Sequence, residues 1–194
     1  VTMGVRPGEP EWRRRVNQAL RRKQDAIAAV AEKSGFVPNV FLALAHRPDE
    51  FRAFFAYHQA LMDKDIGLSK AEREMIVVAV SGINNCQYCV VAHGAILRIR
   101  AKSPEIADQI AINYRKADIT PRQRGMLDFA MKVSRAAEEV SEADFAALAA
   151  HGFSDDDVWD IAAVAAEALV MSPLAVGYIL WLETSGQGTV ASED

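Results

Sequence analysis

Apolar residues recur along the chain at the three-to-four-residue spacing of amphipathic helices, and strand-like alternation of apolar and polar residues is absent. Glycine and proline stand mostly between these apolar segments, where they end or begin helices. The pattern therefore predicts an all-α fold. We expect residues 1–184 to form a single helical domain, in which an N-terminal helix over about residues 11–34 packs on the core. Residues 185–194 are expected to be a frayed tail.

Capping residues set the predicted boundaries of the later helices. Asn39 is expected to cap a short helix through His46, and Asp49 the aromatic-rich helix that ends at Met62, whose rings are most simply core or subunit contacts. Ser103-Pro104 and Thr120-Pro121 are expected to open two further helices. Together with similar signals elsewhere, these four predict helices over about residues 39–46, 50–62, 70–80, 86–101, 104–115, 121–138, 142–151 and 158–171. A last helix is expected to end near residue 183.

The helix that follows Ser69 is predicted to be the centre of the fold. Ser69 and Glu72 form a capping-box pattern, and the stretch Met75–Val80 is apolar on every side, which is typical of a buried helix. Glu74 shares a stripe of this helix with Ser81, so its carboxylate can point into the protein. An exposed acid in the first helical turn, favoured by the helix dipole, is the alternative interpretation.

Two of these segments show a weak internal sequence similarity, called the internal echo below. Leu68-Ser69 and Ile119-Thr120-Pro121 each precede a capped helix with an apolar stretch. A duplicated helical hairpin is one interpretation of this similarity.

Charge and composition narrow the functional class. The net charge is −4 and the isoelectric point about 5.6, which argues against nucleic acid or an anionic membrane as the main partner. No run reaches the roughly 18 apolar residues of a membrane span. With no secretory signal in view, we expect a cytoplasmic protein. A chain of this length buries roughly 70% of its unfolded surface and needs no disulfide for stability.

The two cysteines of the sequence, Cys86 and Cys89, are followed by His93 at helical spacing. If this stretch is helical, both thiols and the imidazole lie on one side of the helix start, which Asn84 or Asn85 is expected to cap. Helix N-terminal amides and a partner thiol lower the pKa of a cysteine and so favour its reactive thiolate.

This arrangement suits thiol redox chemistry. His93 can accept a thiol proton, and Glu74 can orient the imidazole or relay the proton. A second cysteine within bonding reach would convert an oxidised first cysteine to a disulfide before over-oxidation. By position alone Cys86 is the better nucleophile, because it lies nearest the free helix amides.

The segment from Leu68 to Leu97, with Glu74 twelve residues ahead of Cys86, resembles the AhpD-like alkylhydroperoxidase branch of the carboxymuconolactone decarboxylase family. Val37-Pro38-Asn39, Arg47-Pro48 and Gly152-Phe153-Ser154-Asp155 resemble its peroxidase-related subgroup. The resemblance covers roughly residues 35–180 and is most specific at the cysteine motif.

The resemblance implies an all-helical, homo-oligomeric peroxidase that reduces hydroperoxides through a dithiol, with no haem, flavin or metal cofactor. It implies that Cys89 attacks the peroxide, that Cys86 resolves the product, and that Glu74 and His93 relay protons. Better-known members carry a histidine where this chain has Tyr88, whose phenol is a poor base at neutral pH. A hydroperoxide and a dithiol reductant are the expected partners.

Three other functions remain open for the motif. The same disulfide could act as a redox sensor without turnover. The decarboxylase branch keeps the fold but does not need the cysteine pair. Cys86, Cys89 and His93 could also bind zinc if Glu74, water or another subunit completed the site. His46, His58 and His151 lie in contexts unrelated to the motif and are not expected to complete such a site. His58, on the aromatic helix, could face a pocket, whereas His46 and His151 lie next to predicted helix ends; none of the three is assigned a catalytic role.

Overall fold

A computed structural model describes residues 39–44 and 47–174. This part of the chain contains helices and no strand, which confirms the predicted all-α fold. The predicted N-terminal helix, the last predicted helix and the tail lie outside the described residues. The helices are α1 Asn39–Leu44, α2 Pro48–Met62, α3 Lys70–Ile83, α4 Gln87–Ala101, α5 Ile106–Asn113, α6 Pro121–Arg135, α7 Glu142–Ala150 and α8 Asp155–Leu174, with 3-10 helices at Tyr114–Lys116 and Ala137–Glu139.

The chain divides into two compact units, with the boundary inside α2 after Tyr57. In the first unit, the described residues bring aromatic rings together: Phe41 stacks on Phe55 with 4.5 Å between ring centroids, and Phe51 lies 4.6 Å from Phe55. The second unit comprises residues 58–176 and contains the cysteine motif. That residues 1–184 form one domain stays a prediction.

Helix α3 is the centre of the second unit. It begins with the predicted capping box, in which the Glu72 amide donates to the Ser69 hydroxyl and the Glu72 carboxylate accepts from the Ser69 amide. Met75–Val80 is buried on every side, as the apolar pattern predicted. Helices α4, α5, α6 and α8 all contact α3, so it orders the elements around the site.

Close approach between helices explains the glycine near the end of α3. A Cβ atom added at Gly82 would lie 2.6 Å from the carbonyl oxygen of Ala111 in α5. A side chain here would therefore push α5 away from α3. Gly82 sets how tightly the chain packs immediately before the cysteine motif.

A buried ion pair joins α3 to α8. Arg73 has no exposed side-chain surface, and its Nη2 donates to Asp160 Oδ2 at 2.8 Å. Lys64 Nζ also donates to Asp160, at 3.2 Å. Because two cations share this carboxylate, its negative charge is compensated within the fold.

Several predicted boundaries were wrong. Helix α5 begins at Ile106 after Glu105, because the Pro104 carbonyl accepts a 2.9 Å hydrogen bond from Arg98 Nε and holds Ser103-Pro104 in a turn. Helix α6 ends at Arg135, since Ala136 leaves the helical conformation.

Helix α8 continues through Pro173, where the sequence predicted a break. Pro173 lies in the last described turn, and a proline there removes one N–H donor without interrupting the preceding turns. The buried Ser172 hydroxyl donates to the Ala168 carbonyl at 2.7 Å and stays inside the protein. Ser172 is therefore part of the site region rather than of a connector.

None of the described helices combines the length and apolar character that crossing a membrane requires. The paired capping boxes at Ser69 and Thr120 confirm the local signals of the internal echo. The duplication itself stays a prediction.

Candidate active site

The junction between α3 and α4 places the first cysteine. Asn85 adopts a left-handed conformation with φ +54°, its amide donates to the Gly82 carbonyl at 3.1 Å, and the Cys86 amide donates to the Ser81 carbonyl at 3.0 Å. This pattern is a Schellman motif, which asparagine tolerates better than most residues with a Cβ. The predicted Asn84 or Asn85 cap was wrong: Asn85 ends α3, and Cys86 itself caps α4.

The two thiols are free, buried and in contact. Cys86 has no exposed surface and Cys89 is 7% exposed. The Cys86 sulfur accepts a hydrogen bond from the Cys89 amide at 3.2 Å. The Cys86 sulfur therefore occupies the position where an N-cap side chain meets the free amides of a helix.

The negative charge that forms when the two thiols lose one proton is not shared equally between Cys86 and Cys89. A hydrogen bond from the Cys89 thiol lowers the pKa of Cys86 to about 7 against the opposing effect of burial, with help from the Cys89 and Tyr88 backbone amides and from His93. The same hydrogen bond, burial and the neighbouring Cys86 charge raise the pKa of Cys89. The first proton lost from the pair therefore leaves Cys86.

Two serine hydroxyls form hydrogen bonds with the second cysteine of the pair. Ser81 and Ser172 are buried, and their hydroxyls lie 3.5 Å apart. Hydrogen bonds from both hydroxyls oppose the rise in the pKa of Cys89. They are therefore placed to stabilise negative charge when it moves to the Cys89 sulfur.

A buried carboxylate orients the imidazole beside the thiols. The Glu74 side chain is 2% exposed, which confirms that it points inward. Its Oε2 lies 2.8 Å from His93 Nδ1, and its Oε1 accepts a 3.0 Å hydrogen bond from Arg100 Nη1. Since the carboxylate binds Nδ1, a neutral His93 carries its proton there and keeps Nε2 as an acceptor.

Sequence reasoning missed Arg100. Its side chain, 27% exposed, forms an ion pair with the buried Glu74 carboxylate at 3.0 Å. Cys89, His93 and Arg100 follow one another at intervals of four and seven residues, which places them along one stripe of α4. That spacing was a signal that could have identified Arg100 as the partner of an inward-facing acid.

Sequence reasoning also missed His58 and Glu167. His58 Nδ1 lies 2.8 Å from Glu167 Oε1, and the His58 and His93 ring centroids are 6.3 Å apart in an edge-on arrangement. Because Glu167 is 109 residues away from His58 in the chain, no local pattern reveals this pair. The sequence could show only that Glu167 interrupts a nearly apolar helix.

The structure thus brings together four of the five predicted site residues: Cys86, Cys89, His93 and Glu74. Tyr88 takes part through its backbone amide, and a role for its phenol stays a prediction.

The remaining histidines lie elsewhere. His46 falls outside the described residues, and His151 is exposed at the end of α7. Within the described chain, no cluster of three or more His, Cys, Asp or Glu side chains is arranged to hold a metal ion.

The fold and the site define a class: an all-helical protein with a Cys-x-x-Cys dithiol at a helix N-terminus, beside a buried glutamate–histidine pair. Residues 48–114 match the model of the carboxymuconolactone decarboxylase family. The chain is 60% identical to an uncharacterized peroxidase-related protein from Ralstonia eutropha JMP134, described as an alkylhydroperoxidase AhpD core, over 89% of each chain and with a TM-score of 0.76. The protein belongs to the carboxymuconolactone decarboxylase family, in its AhpD-like, peroxidase-related group.

Two further solved structures extend the comparison. An uncharacterized peroxidase-related protein from Silicibacter sp. TM1040 is 44% identical over 81% of this chain and 82% of its own, with a TM-score of 0.77. The debrominase Bmp8, in complex with 2,3,4-tribromopyrrole, is 17% identical over 91% of each chain with a TM-score of 0.67, and shares the fold alone. No curated protein matches the chain. The family expectation from the cysteine motif is confirmed, and the fold also serves chemistry other than peroxide reduction.

Proposed function

We propose that the protein is a thiol peroxidase-like oxidoreductase with an antioxidant role, which reduces hydroperoxides through a dithiol–disulfide cycle of Cys86 and Cys89. The observation that carries the proposal is the contact between these thiols beside His93, whose Nδ1 is held by the buried Glu74 at 2.8 Å. A lowered thiol pKa, a second thiol within reach and an oriented imidazole are what peroxide reduction needs.

The cycle starts from one thiolate, one thiol and a protonated imidazole. As Cys89 attacks, its proton moves along the hydrogen bond to the Cys86 sulfur, and the Ser81 and Ser172 hydroxyls stabilise the charge on Cys89. The Cys89 sulfur then forms a bond to the terminal peroxide oxygen while the O–O bond breaks. The departing alkoxide takes a proton from His93 and leaves as an alcohol, and Cys89 becomes a sulfenic acid.

Resolution closes the first half of the cycle. The Cys86 sulfur attacks the Cys89 sulfenic acid, the S–S bond forms and the S–O bond breaks, and the departing hydroxide takes the Cys86 proton to leave as water. A dithiol reductant then returns two electrons and two protons, one to the cysteine pair and one to His93. The reductant is itself oxidised to a disulfide, so atoms and charges balance over the cycle.

Cys89 is the proposed attacking residue because it is the more exposed of the two sulfur-bearing residues, whereas Cys86 is fully enclosed. In the resting pair the first negative charge lies on Cys86, so attack by Cys89 requires the internal proton shift described above. Glu74 and Arg100 hold His93 in position throughout. No role beyond its amide is needed for Tyr88.

A homo-oligomer in the reducing cytoplasm is part of the proposal. Both cysteines are free thiols, as reductive turnover requires. Large apolar side chains are exposed on the described surface, and burying them between subunits would be favourable. The most exposed of them are Ile66, Val91, Ile99, Ile112, Trp159 and Val170.

Rapid-mixing kinetics and turnover test the proposal. Reduced protein should be oxidised by hydrogen peroxide and by cumene hydroperoxide much faster than free cysteine at the same pH, and should turn over when a dithiol reductant is supplied. Oxidation no faster than that of free cysteine would refute peroxidase activity. Rapid oxidation without turnover by any dithiol would instead favour a redox sensor.

A further inference from the structure

The site contains a second carboxylate–imidazole pair that the proposed cycle does not use. Glu167 on α8 is buried, with 6% of its side chain exposed, and His58 on α2 is 30% exposed. Their hydrogen bond of 2.8 Å joins His58 Nδ1 to Glu167 Oε1. Glu167 therefore restricts the tautomer of His58 just as Glu74 restricts that of His93.

The buried carboxylate of Glu167 favours the protonated form of His58. Among the described residues, His58 is the basic side chain that pairs with this buried carboxylate. A buried carboxylate without a cation is costly, so a positive His58 stabilises it.

The charged groups around His58 act in the same direction. Burial lowers the pKa of His58, but the hydrogen bond and charge of Glu167, together with the Glu74 and Asp63 carboxylates, outweigh it and raise the pKa above its ordinary value. The His93 ring also faces His58.

The two imidazoles are close enough to influence one another. Their ring centroids are 6.3 Å apart, and the Glu74 that binds His93 also acts on His58. Glu167, His58, His93 and Glu74 thus lie one after another beside the thiols, as two hydrogen-bonded pairs whose imidazole rings face each other edge-on. Two positive imidazoles this close repel each other, so a proton on His58 favours release of the proton from His93 to the alkoxide and can then replace it across this short, partly buried distance.

We propose that His58 and Glu167 are a second proton-holding pair of the thiol site, which acts through His93 and keeps a proton available for the departing alkoxide. This inference rests on the proposed function. His58 and Glu167 are positioning residues, because neither is required to touch the peroxide. The pair extends proton donation to higher pH, because the hydrogen bond and charge of Glu167 outweigh burial and raise the pKa of His58 above its ordinary value.

The test combines a pH profile with a double-mutant cycle. The variants are His58→Gln and Glu167→Gln, with His151→Gln as the matched control on the exposed histidine of α7. We expect both site variants to slow peroxide oxidation by roughly tenfold or more at neutral pH and to move the alkaline limb of the profile to lower pH. His151→Gln should change neither.

The double-mutant cycle separates action through His93 from a structural role. If His58 acts through His93, the variant with both His58→Gln and His93→Gln should be no slower than His93→Gln alone. Two losses that multiply would show independent effects and overturn the inference. Glu167→Gln keeps the test decisive if His58→Gln does not fold, because it removes the charge and preserves the shape of the side chain.

The outcomes distinguish this inference from the proposed function. Rapid oxidation of the unmodified protein, combined with unchanged pH profiles in both site variants, would overturn the inference and leave the peroxidase intact. Slow oxidation of the unmodified protein would refute the peroxidase. In that case, the rate at which iodoacetamide alkylates the thiols is measured in the same single and double variants. These rates decide whether His58 acts on the thiol site through His93.

Discussion

Glu74 Oε2 lies 2.8 Å from His93 Nδ1, and this contact joins the central helix α3 to the cysteine-bearing helix α4. The carboxylate is buried and its second oxygen accepts from Arg100, so its position is fixed from two sides. The thiols at the start of α4 therefore have an imidazole whose tautomer and orientation are set before any substrate arrives.

Replacing Glu74 tests this arrangement. Glu74→Gln keeps the size of the side chain but removes the charge that supports a protonated His93. We expect the rate of thiol oxidation by hydroperoxide to fall roughly 10²- to 10³-fold, within the range typical of lost acid–base catalysis. Rapid-mixing kinetics measure the loss, and Glu138→Gln, at an exposed position, serves as the matched control. Equal rates in the two variants would show that the contact has no part in the reaction.

Arg100 should stabilise the fold through the same carboxylate. Arg100→Gln removes the guanidinium charge that pairs with the buried Glu74 carboxylate. We therefore expect the free energy of unfolding to fall by about 1–3 kcal/mol. Denaturant titration measures this loss. Arg52→Gln is the control, since its ion pair with Asp49 is exposed and should contribute under about 1 kcal/mol. A larger loss from Arg52→Gln would contradict this assignment.

The thiol pair should titrate in two widely separated steps. The pKa of Cys86 is lowered to about 7 and the pKa of Cys89 is raised, so ultraviolet thiolate absorbance should show one thiolate forming near neutral pH. Cys89→Ala removes the thiol that donates to Cys86 and should move this step toward the ordinary value of about 8.5. An unchanged step in Cys89→Ala would contradict the pairing of the two sulfurs.

The lowered pKa of Cys86 also predicts how the stability of the fold depends on pH. Because the pKa of Cys86 is lower in the folded protein than in the unfolded chain, its ionisation stabilises the folded state. This contribution is fully present above about pH 8.5, and it is lost as the pH falls through about 7. Comparing the unmodified protein with Cys86→Ala by denaturant titration across this window isolates the contribution.

Single-cysteine variants assign the roles of the two thiols. We expect Cys86→Ser to accumulate a sulfenic acid on Cys89, which dimedone traps and mass spectrometry detects, because no second thiol remains to resolve it. Cys89→Ser should give little adduct. The reverse pattern, with the adduct on Cys86, would assign attack to the thiol that ionises first in the resting pair.

Local signals in the sequence predicted much of the fold. The Ser69 capping box and the Thr120 cap form as expected, and the apolar stretch Met75–Val80 is the buried centre. These features depend on residues within one helical turn of each other, which a sequence shows directly. The same helical periodicity indicated the inward direction of Glu74 as one of two interpretations.

The remainder of the site could not be predicted because its contacts are long-range or unusual. Glu167 meets His58 across 109 positions. Cys86 acts as a helix cap although sulfur is a weak acceptor, and it does so because Asn85 takes the left-handed position that ends α3. A local pattern favours the better oxygen acceptors, Asn84 and Asn85, and so misplaces the cap by one or two residues.

The central claim is that Cys86 and Cys89 together reduce a hydroperoxide, and a stoichiometric single turnover tests it most directly. Reduced protein is mixed with one equivalent of cumene hydroperoxide, and the products are measured by mass spectrometry and chromatography. We expect one equivalent of cumyl alcohol and one intramolecular Cys86–Cys89 disulfide per chain. Free thiols with unreacted hydroperoxide, or alcohol formed equally well by Cys86→Ser/Cys89→Ser, would contradict the account.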